Sequence, residues 1–229
     1  MFHLKIAVDN PKNLSLDRLW ITSEIKKLRT PELNSEHAVL KTEIDNYIRQ
    51  IVTSIQGLQN ETVVCVAELI HSVRISGANI FVCGNGGSAA LSQHFAIDLG
   101  LGTSRELLTQ GCRIFDLTSN AAVITATSND IEFDQVYSRQ IELYGTKDDL
   151  LIAISSSGNS RNILNAVSAA KNLGMKTVGL SGFDGGKIKN LVDCSVHFET
   201  PLGKYGVVED LHSSTLHLLT HLVRCLGKM

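Results

Sequence analysis

The sequence predicts an α/β fold in which a doubly wound, five-stranded parallel sheet is flanked by helices. Three observations carry this. Five short apolar runs (ANIFVCG, RIFDL, DLLIAIS, KTVGLS and CSVHFE) are separated mostly by stretches of helical spacing, the alternation that builds parallel sheets through crossover helices. The runs are nearly continuous in apolar residues, as in strands buried on both faces. Two of them lead straight into Gly- or Ser-rich turns that open helices.

The elements follow in order. Residues 1–34 stand apart, with Trp20, Pro11, Pro31 and a short amphipathic piece, LDRLWITSEIKKL. They are expected to form an N-terminal extension with one short helix and no legible role, leaving 35–229 as a single domain. Leu40, Ile44, Tyr47, Ile48, Ile51, Ile55 and Leu58 keep a 3.6-residue spacing and predict a long helix. Asn60 can cap a second, carrying Val64, Ala67, Leu69, Ile70 and Val73. ANIFVCG then enters GNGGS, residues 84–88. Further along, NILNAVSAAKNLG puts Ile163, Leu164, Val167, Ala170 and Leu173 on one helix face and stops at Gly174. A last helix is expected from about Val207 to Leu226.

Composition narrows the function. With 229 residues, 43% hydrophobic and a formal charge of −2, the chain has no basic run suited to a nucleic-acid backbone. No apolar run approaches a membrane span, and MFHLKIAVDNPKN lacks a signal-peptide core. Five widely spaced cysteines (Cys65, Cys83, Cys112, Cys194, Cys225), none in a CxxC, read as reduced and mostly buried residues of a cytoplasmic protein.

Three motifs carry chemistry. In GNGGS, Gly86 and Gly87 permit a tight turn and close backbone approach, and the helix start behind Ser88 offers N–H groups to an anion. Such a turn is as often only a turn. ISSSGNS, residues 154–160, also joins a buried strand to a helix. Simple capping needs one serine, Ser157 or Ser160; Ser155, Ser156, Ser157 and Ser160 together make an uncharged hydroxyl cradle suited to a phosphomonoester. His94 and Asp98, at i and i+4, share a helix face, which suits a metal or a carboxylate-oriented histidine, and equally a surface ion pair. The last helix adds Glu209, His212 and His217 among Leu211, Leu216, Leu218 and Leu219, and ionisable groups on so apolar a helix need partners.

With these residues in place, the chain resembles the SIS-domain (sugar isomerase) family and, within it, the phosphoheptose isomerases. The resemblance runs from about Ser35 to Leu226. It rests on GNGGS at 84–88, HFAID at 94–98, SND at 128–130, ISSSGNS at 154–160, GFDGGK at 182–187 and ED-x-H-x4-H at 209–217. It implies the SIS form of the Rossmann-like, flavodoxin-like sheet. Ser88, Ser155, Ser156, Ser157 and Ser160 would hold a sugar phosphate, with Asn85 in the same turn and Asp130 in a loop lining the site. A zinc ion would be held by His94, Asp98, Glu209 and His217, in a cytoplasmic homotetramer with sites at subunit interfaces. Two positions depart from the family: Asp98 stands where Glu is usual, and Glu209 where Gln is usual. The implied activity is an aldose–ketose isomerase interconverting sedoheptulose 7-phosphate and D-glycero-D-manno-heptose 7-phosphate through an enediol(ate), for heptose precursor synthesis. Asp98 or Glu209 would be the base and His217 the acid.

Two other classes compete. A non-catalytic SIS adaptor, of the kind that associates with the bacterial replication initiator, has no need of the His94/Asp98/Glu209/His217 set. A phosphosugar-sensing regulator needs a DNA-binding segment, and residues 1–34 are too short and too weakly basic for one. The remaining histidines have plain readings: His37 and His71 on helices, His197 in a strand, His221 one turn past His217. His212 supports the site or packs between subunits.

Overall fold

The computed structural model describes residues 31–229 except Thr109, with side chains described from Ser35 onward. The expected short helix within LDRLWITSEIKKL lies outside the described residues. The chain divides into two units, 1–48 and 49–229. Helix α1 (Pro31–Gln56) runs through the division. The 3.6-residue spacing there does produce a helix; Leu40, Ile44 and Ile48 are all more than half exposed, while Ile51 packs against the core.

The second unit contains α2 (Asn60–Ser76), β1 (Asn79–Gly84), α3 (Gly87–Ile97), α4 (Thr103–Leu107), β2 (Arg113–Asp116), α5 (Ala121–Asp130), α6 (Ser138–Tyr144), β3 (Leu150–Ser155), α7 (Arg161–Asn172), β4 (Lys176–Ser181), α8 (Ile188–Leu191), β5 (Cys194–His197) and α9 (Tyr205–Leu226). The five predicted strands are present and all pair in parallel, in the order β2-β1-β3-β4-β5. Helix boundaries differ in detail. Gln59, not Asn60, precedes the first turn of α2, while Gly174, with φ 78°, terminates α7 as expected.

Side-chain alternation along each strand feeds two cores, one per sheet face. Ile80, Val82, Leu150, Ile152 and Ile154 face α2, α3 and α9. Phe81, Cys83, Leu151 and Ala153 face α6 and α7. All six residues of β3 are buried, which explains its unbroken apolar sequence. Removing one such side chain, as in Ile152→Ala, costs about 2–5 kcal/mol. At the strand starts, buried Asp149 accepts from Asn79 N (2.7 Å) and Thr146 N (2.8 Å), clipping β3 to β1 at the end opposite the functional turns. All five cysteines are free, but only Cys83 and Cys112 are buried; Cys65 is exposed and Cys194 and Cys225 lie between, which corrects the expectation of mostly buried thiols. No helix among the described residues is long and apolar enough to cross a membrane.

The strand order places the site. The connection from β1 leads outward to β2, and the chain then returns across β1 to β3. The crevice at the C-terminal ends of β1 and β3 is therefore the topological switch point, where open α/β sheets bind ligands. GNGGS follows β1 and the serine loop follows β3.

Candidate active site

Both turns deliver a helix N-terminus to the crevice, and neither terminus is capped by its own side chain. Gly86, at φ 54°, precedes α3, a backbone shape that favours glycine. Ser160 occupies the capping position of α7 but makes no capping bond. The simple capping role open to Ser160 is thus not the one it takes. In helices of eleven and twelve residues the first two N–H groups remain available to an anion, the third being used by Ala89 N on Gly86 O (3.0 Å) and by Ile163 N on Asn162 Oδ1 (3.0 Å). Between them lies a cavity of about 120 Å³ lined by Asn85, Ser88, Ser155, Ser156, Ser157, Ser160, Tyr205 and Glu209. Ser88, Ser155 and Ser156 are buried, and the Ser155 and Ser160 hydroxyls lie 3.4 Å apart. The GFDGGK turn braces the loop from behind: Gly182 N donates to Ser156 O (2.9 Å) and Ile188 N to Gly158 O (3.0 Å).

The second cluster joins α3 to α9. His94 Nε2 lies 3.3 Å and His217 Nε2 3.6 Å from Asp98 Oδ2, with the two imidazoles edge to face at 5.0 Å. One ligating atom from each residue lies within 4.8 Å of the others. Ligands about 2.0–2.1 Å from a tetrahedral zinc stand roughly 3.3 Å apart, and three protein ligands with an open fourth position are the pattern of a catalytic zinc centre. The donor chemistry and spacing of His94, Asp98 and His217 therefore fit zinc. Asp98 opens a π-type turn (Asp98–Gly102) whose first carbonyl is held by Arg224 Nη2 at 3.0 Å and Thr103 Oγ1 at 3.2 Å. Arg224 and Thr103 were not singled out in the sequence; Arg and Thr are too common on helices to announce such a role.

Within one chain, two of the expected site residues stand apart from these groups. Glu209 does not join the three ligands. It sits eight residues, about 12 Å, before His217 on α9, and its carboxylate lies against Gly87 at the start of α3. A bare glycine is what admits it, since a Cβ at residue 87 would overlap the carboxylate. Asp130 does not line the cavity: it is exposed at the end of α5, accepting from Asn129 Nδ2 (2.8 Å). The helix that carries it follows β2, the edge strand, one strand removed from the switch point.

Two polar residues near the crevice carried no sequence signal. Buried Asn162 and Tyr137 both bond to Asn85, and burial raises the Tyr137 phenol above its ordinary pKa. His212 is fully buried against Phe198, and burial pushes its imidazole down to about 4, helped by nearby His197 and opposed by the Ser181 backbone. His197 Nδ1 pairs with Ser181 Oγ at 3.1 Å, and exposed His221 with Cys225 Sγ at 3.6 Å.

Comparison with known proteins bears on the family and the fold. The SIS domain profile matches residues 45–182. Over 182 residues the chain is 37% identical to the phosphoheptose isomerase of Helicobacter pylori (strain Shi470), spanning 79% of this chain and 92% of that one. It superposes on the phosphoheptose isomerase GmhA from Neisseria gonorrhoeae with a TM-score of 0.70 at 31% identity, covering 82% of this chain and 98% of the other. For a phosphoheptose isomerase from Francisella tularensis the TM-score is 0.74 at 27% identity, with 83% and 98% covered.

Proposed function

The chain belongs to the SIS-domain family, and we propose that it is an aldose–ketose isomerase interconverting sedoheptulose 7-phosphate and D-glycero-D-manno-heptose 7-phosphate. The observation that carries this is the cavity at the switch point: two uncapped helix N-termini, four serines from one loop and a carboxylate, Glu209, in the same space. Hydroxyls and helix N–H groups hold a phosphate oxygen without a cation. An adaptor has no use for such a cradle.

The chemistry moves one proton between C1 and C2 and requires a base that can reach both carbons. Glu209 is the carboxylate that shares the cavity, whereas Asp98 is engaged between His94 and His217. Glu209 is accordingly assigned as the base and His217 as the group that moves protons at the sugar oxygens. His94, Asp98 and His217 would hold zinc, which when bound supplies Lewis-acid stabilisation of charge on those oxygens. The serines anchor the phosphate, so that binding energy fixes the reacting end of the chain.

Glu209 and His217 of one chain stand about 12 Å apart along α9, too far to act on adjacent carbons. A second copy that brings its His94, Asp98 and His217 to the Glu209 of the first resolves this, and supports a homotetramer with shared sites. Exposed apolar residues beside the cluster, Ile97 and Leu101, offer surface for such contacts.

The test is to incubate zinc-loaded and chelated protein with sedoheptulose 7-phosphate and follow the product by NMR. Turnover in the loaded sample is expected. Intact phosphosugar binding with no turnover in the loaded sample overturns the proposal.

A further inference from the structure

Asn85 reaches into the cavity from the GNGGS turn, and its orientation is set from elsewhere in the fold. Asn162, in the first turn of α7 and 2% exposed, exchanges two hydrogen bonds with it. Asn85 Nδ2 donates to Asn162 Oδ1 (2.9 Å), and Asn162 Nδ2 donates to Asn85 Oδ1 (2.8 Å). Amides can flip, but this pair has a fixed reference. Asn162 Oδ1 also accepts from the backbone N–H of Ile163 (3.0 Å), which can only donate. That bond fixes which end of Asn162 is oxygen, and Asn162 in turn fixes Asn85. Tyr137 reinforces the arrangement: its hydroxyl donates to Gly84 O (2.6 Å) and lies 3.3 Å from Asn85 Oδ1.

Counting hydrogens gives the consequence. Asn85 Oδ1 accepts from Asn162 Nδ2, while the one hydrogen of the Tyr137 hydroxyl goes to Gly84 O. One Nδ2 hydrogen of Asn85 is used on Asn162, and the other is left for the cavity that Asn85 lines. We infer that Asn162 is a positioning residue: it converts Asn85 from an ambivalent amide into a fixed N–H donor aimed at an oxygen of the bound phosphosugar. The same pair ties the turn after β1 to the first turn of α7, so both walls of the cradle are set together. This inference rests on the cavity being the phosphosugar site.

Asn162→Asp is the direct test. Its shape is nearly unchanged and it can still accept from Ile163 N, but its second oxygen then faces Asn85 Oδ1. Either orientation of the Asn85 amide then sets its oxygen against a carboxylate oxygen, so Asn85 loses its fixed setting and its N–H is no longer held toward the cavity. We expect kcat/KM to fall about 10- to 100-fold. A simple loss of packing would do part of this, so the decisive readout is coupling. In an Asn85→Ala background, Asn162→Asp should cost less than about 2-fold further, because its route of action is gone. Multiplicative losses in the double variant overturn the inference. If Asn162→Asp does not fold, Tyr137→Phe is put through the same cycle, with a smaller single loss and the same collapse of that loss in Asn85→Ala. Should the wild type isomerise no heptose phosphate, the function proposal fails by itself. The cycle is then read in the Kd of inorganic phosphate by calorimetry: coupling there sustains the inference, and additivity overturns it.

Discussion

Gly87 and Glu209 are held face to face: the first residue of α3 has no side chain where the Glu209 carboxylate of α9 rests. A carboxylate at that place meets the positive end of a helix, which helps to fix its position. Glu209 is therefore a placed group, and its place depends on a hydrogen atom at residue 87.

Gly87→Ala tests that dependence. The added methyl displaces the far end of a flexible side chain, so the fold accommodates it. Alanine is also the better helix former, by up to about 1 kcal/mol. Unchanged or slightly raised thermal stability is expected, together with a fall in kcat of at least about 10-fold. Wild-type turnover in Gly87→Ala would mean that the resting position of Glu209 does not matter to catalysis.

The separation of Glu209 from His94, Asp98 and His217 gives opposed signatures. Glu209→Gln should lower turnover by about 100-fold or more while leaving the zinc content at its wild-type value. Asp98→Asn should lower both, since the three-residue donor set loses its only anion. Metal analysis after gel filtration, paired with steady-state rates, separates the two. Because Gln is usual at this position of the family, the discriminating variant is Glu209→Ala, and loss of its zinc would restore Glu209 as a fourth ligand.

Arg224 provides a more remote handle on the same centre. It holds the Asp98 carbonyl through Nη2 (3.0 Å) while Nη1 pairs with Glu106 at 2.9 Å. Arg224→Lys keeps the charge but loses the planar fork that makes both contacts. Partners that orient a ligand typically matter about 10- to 100-fold in metal affinity. Competition with a zinc chelator should show a weakening of that order; unchanged affinity would make the Arg224 contact purely architectural.

These relationships show where sequence reasoning reaches and where it stops. β3 could be read directly because a strand buried on both faces must be apolar throughout. The serine loop could be read because four hydroxyls exceed what one helix cap uses. His94 and Asp98 could be paired because i and i+4 are neighbours on any helix. The place of Glu209 could not, because it depends on how α9 packs along α3, and nothing local to VVEDLH encodes which partner it meets. Asn162 looks like an ordinary residue of a helical first turn, and its function exists only through Asn85 on a different loop. The stripe of α1 announced a helix but not its surroundings: periodicity reports that a face is apolar, not what covers it.

His212 makes the acid limb of stability testable. It is fully buried against Phe198, and neither ring nitrogen has a hydrogen-bonding partner among the described residues. Burial holds its folded pKa at about 4, well below the ordinary imidazole value of 6.5. Above pH 6.5 the ring is neutral in both folded and unfolded chains and contributes no pH dependence. Between pH 6.5 and about 4 the unfolded chain binds a proton that the folded chain refuses, so stability falls as pH falls. The full loss across that window is on the order of 3 kcal/mol. His71 and His197 are shifted in the same direction, burial again being the largest cause, but both are more open. His212→Leu replaces the ring with an apolar group of similar size. It should leave stability near pH 7.5 unchanged or higher and flatten most of the decline toward pH 4.5. Urea unfolding of both proteins at several pH values provides the comparison, and an identical pH slope in the variant would assign the acid limb to groups other than His212.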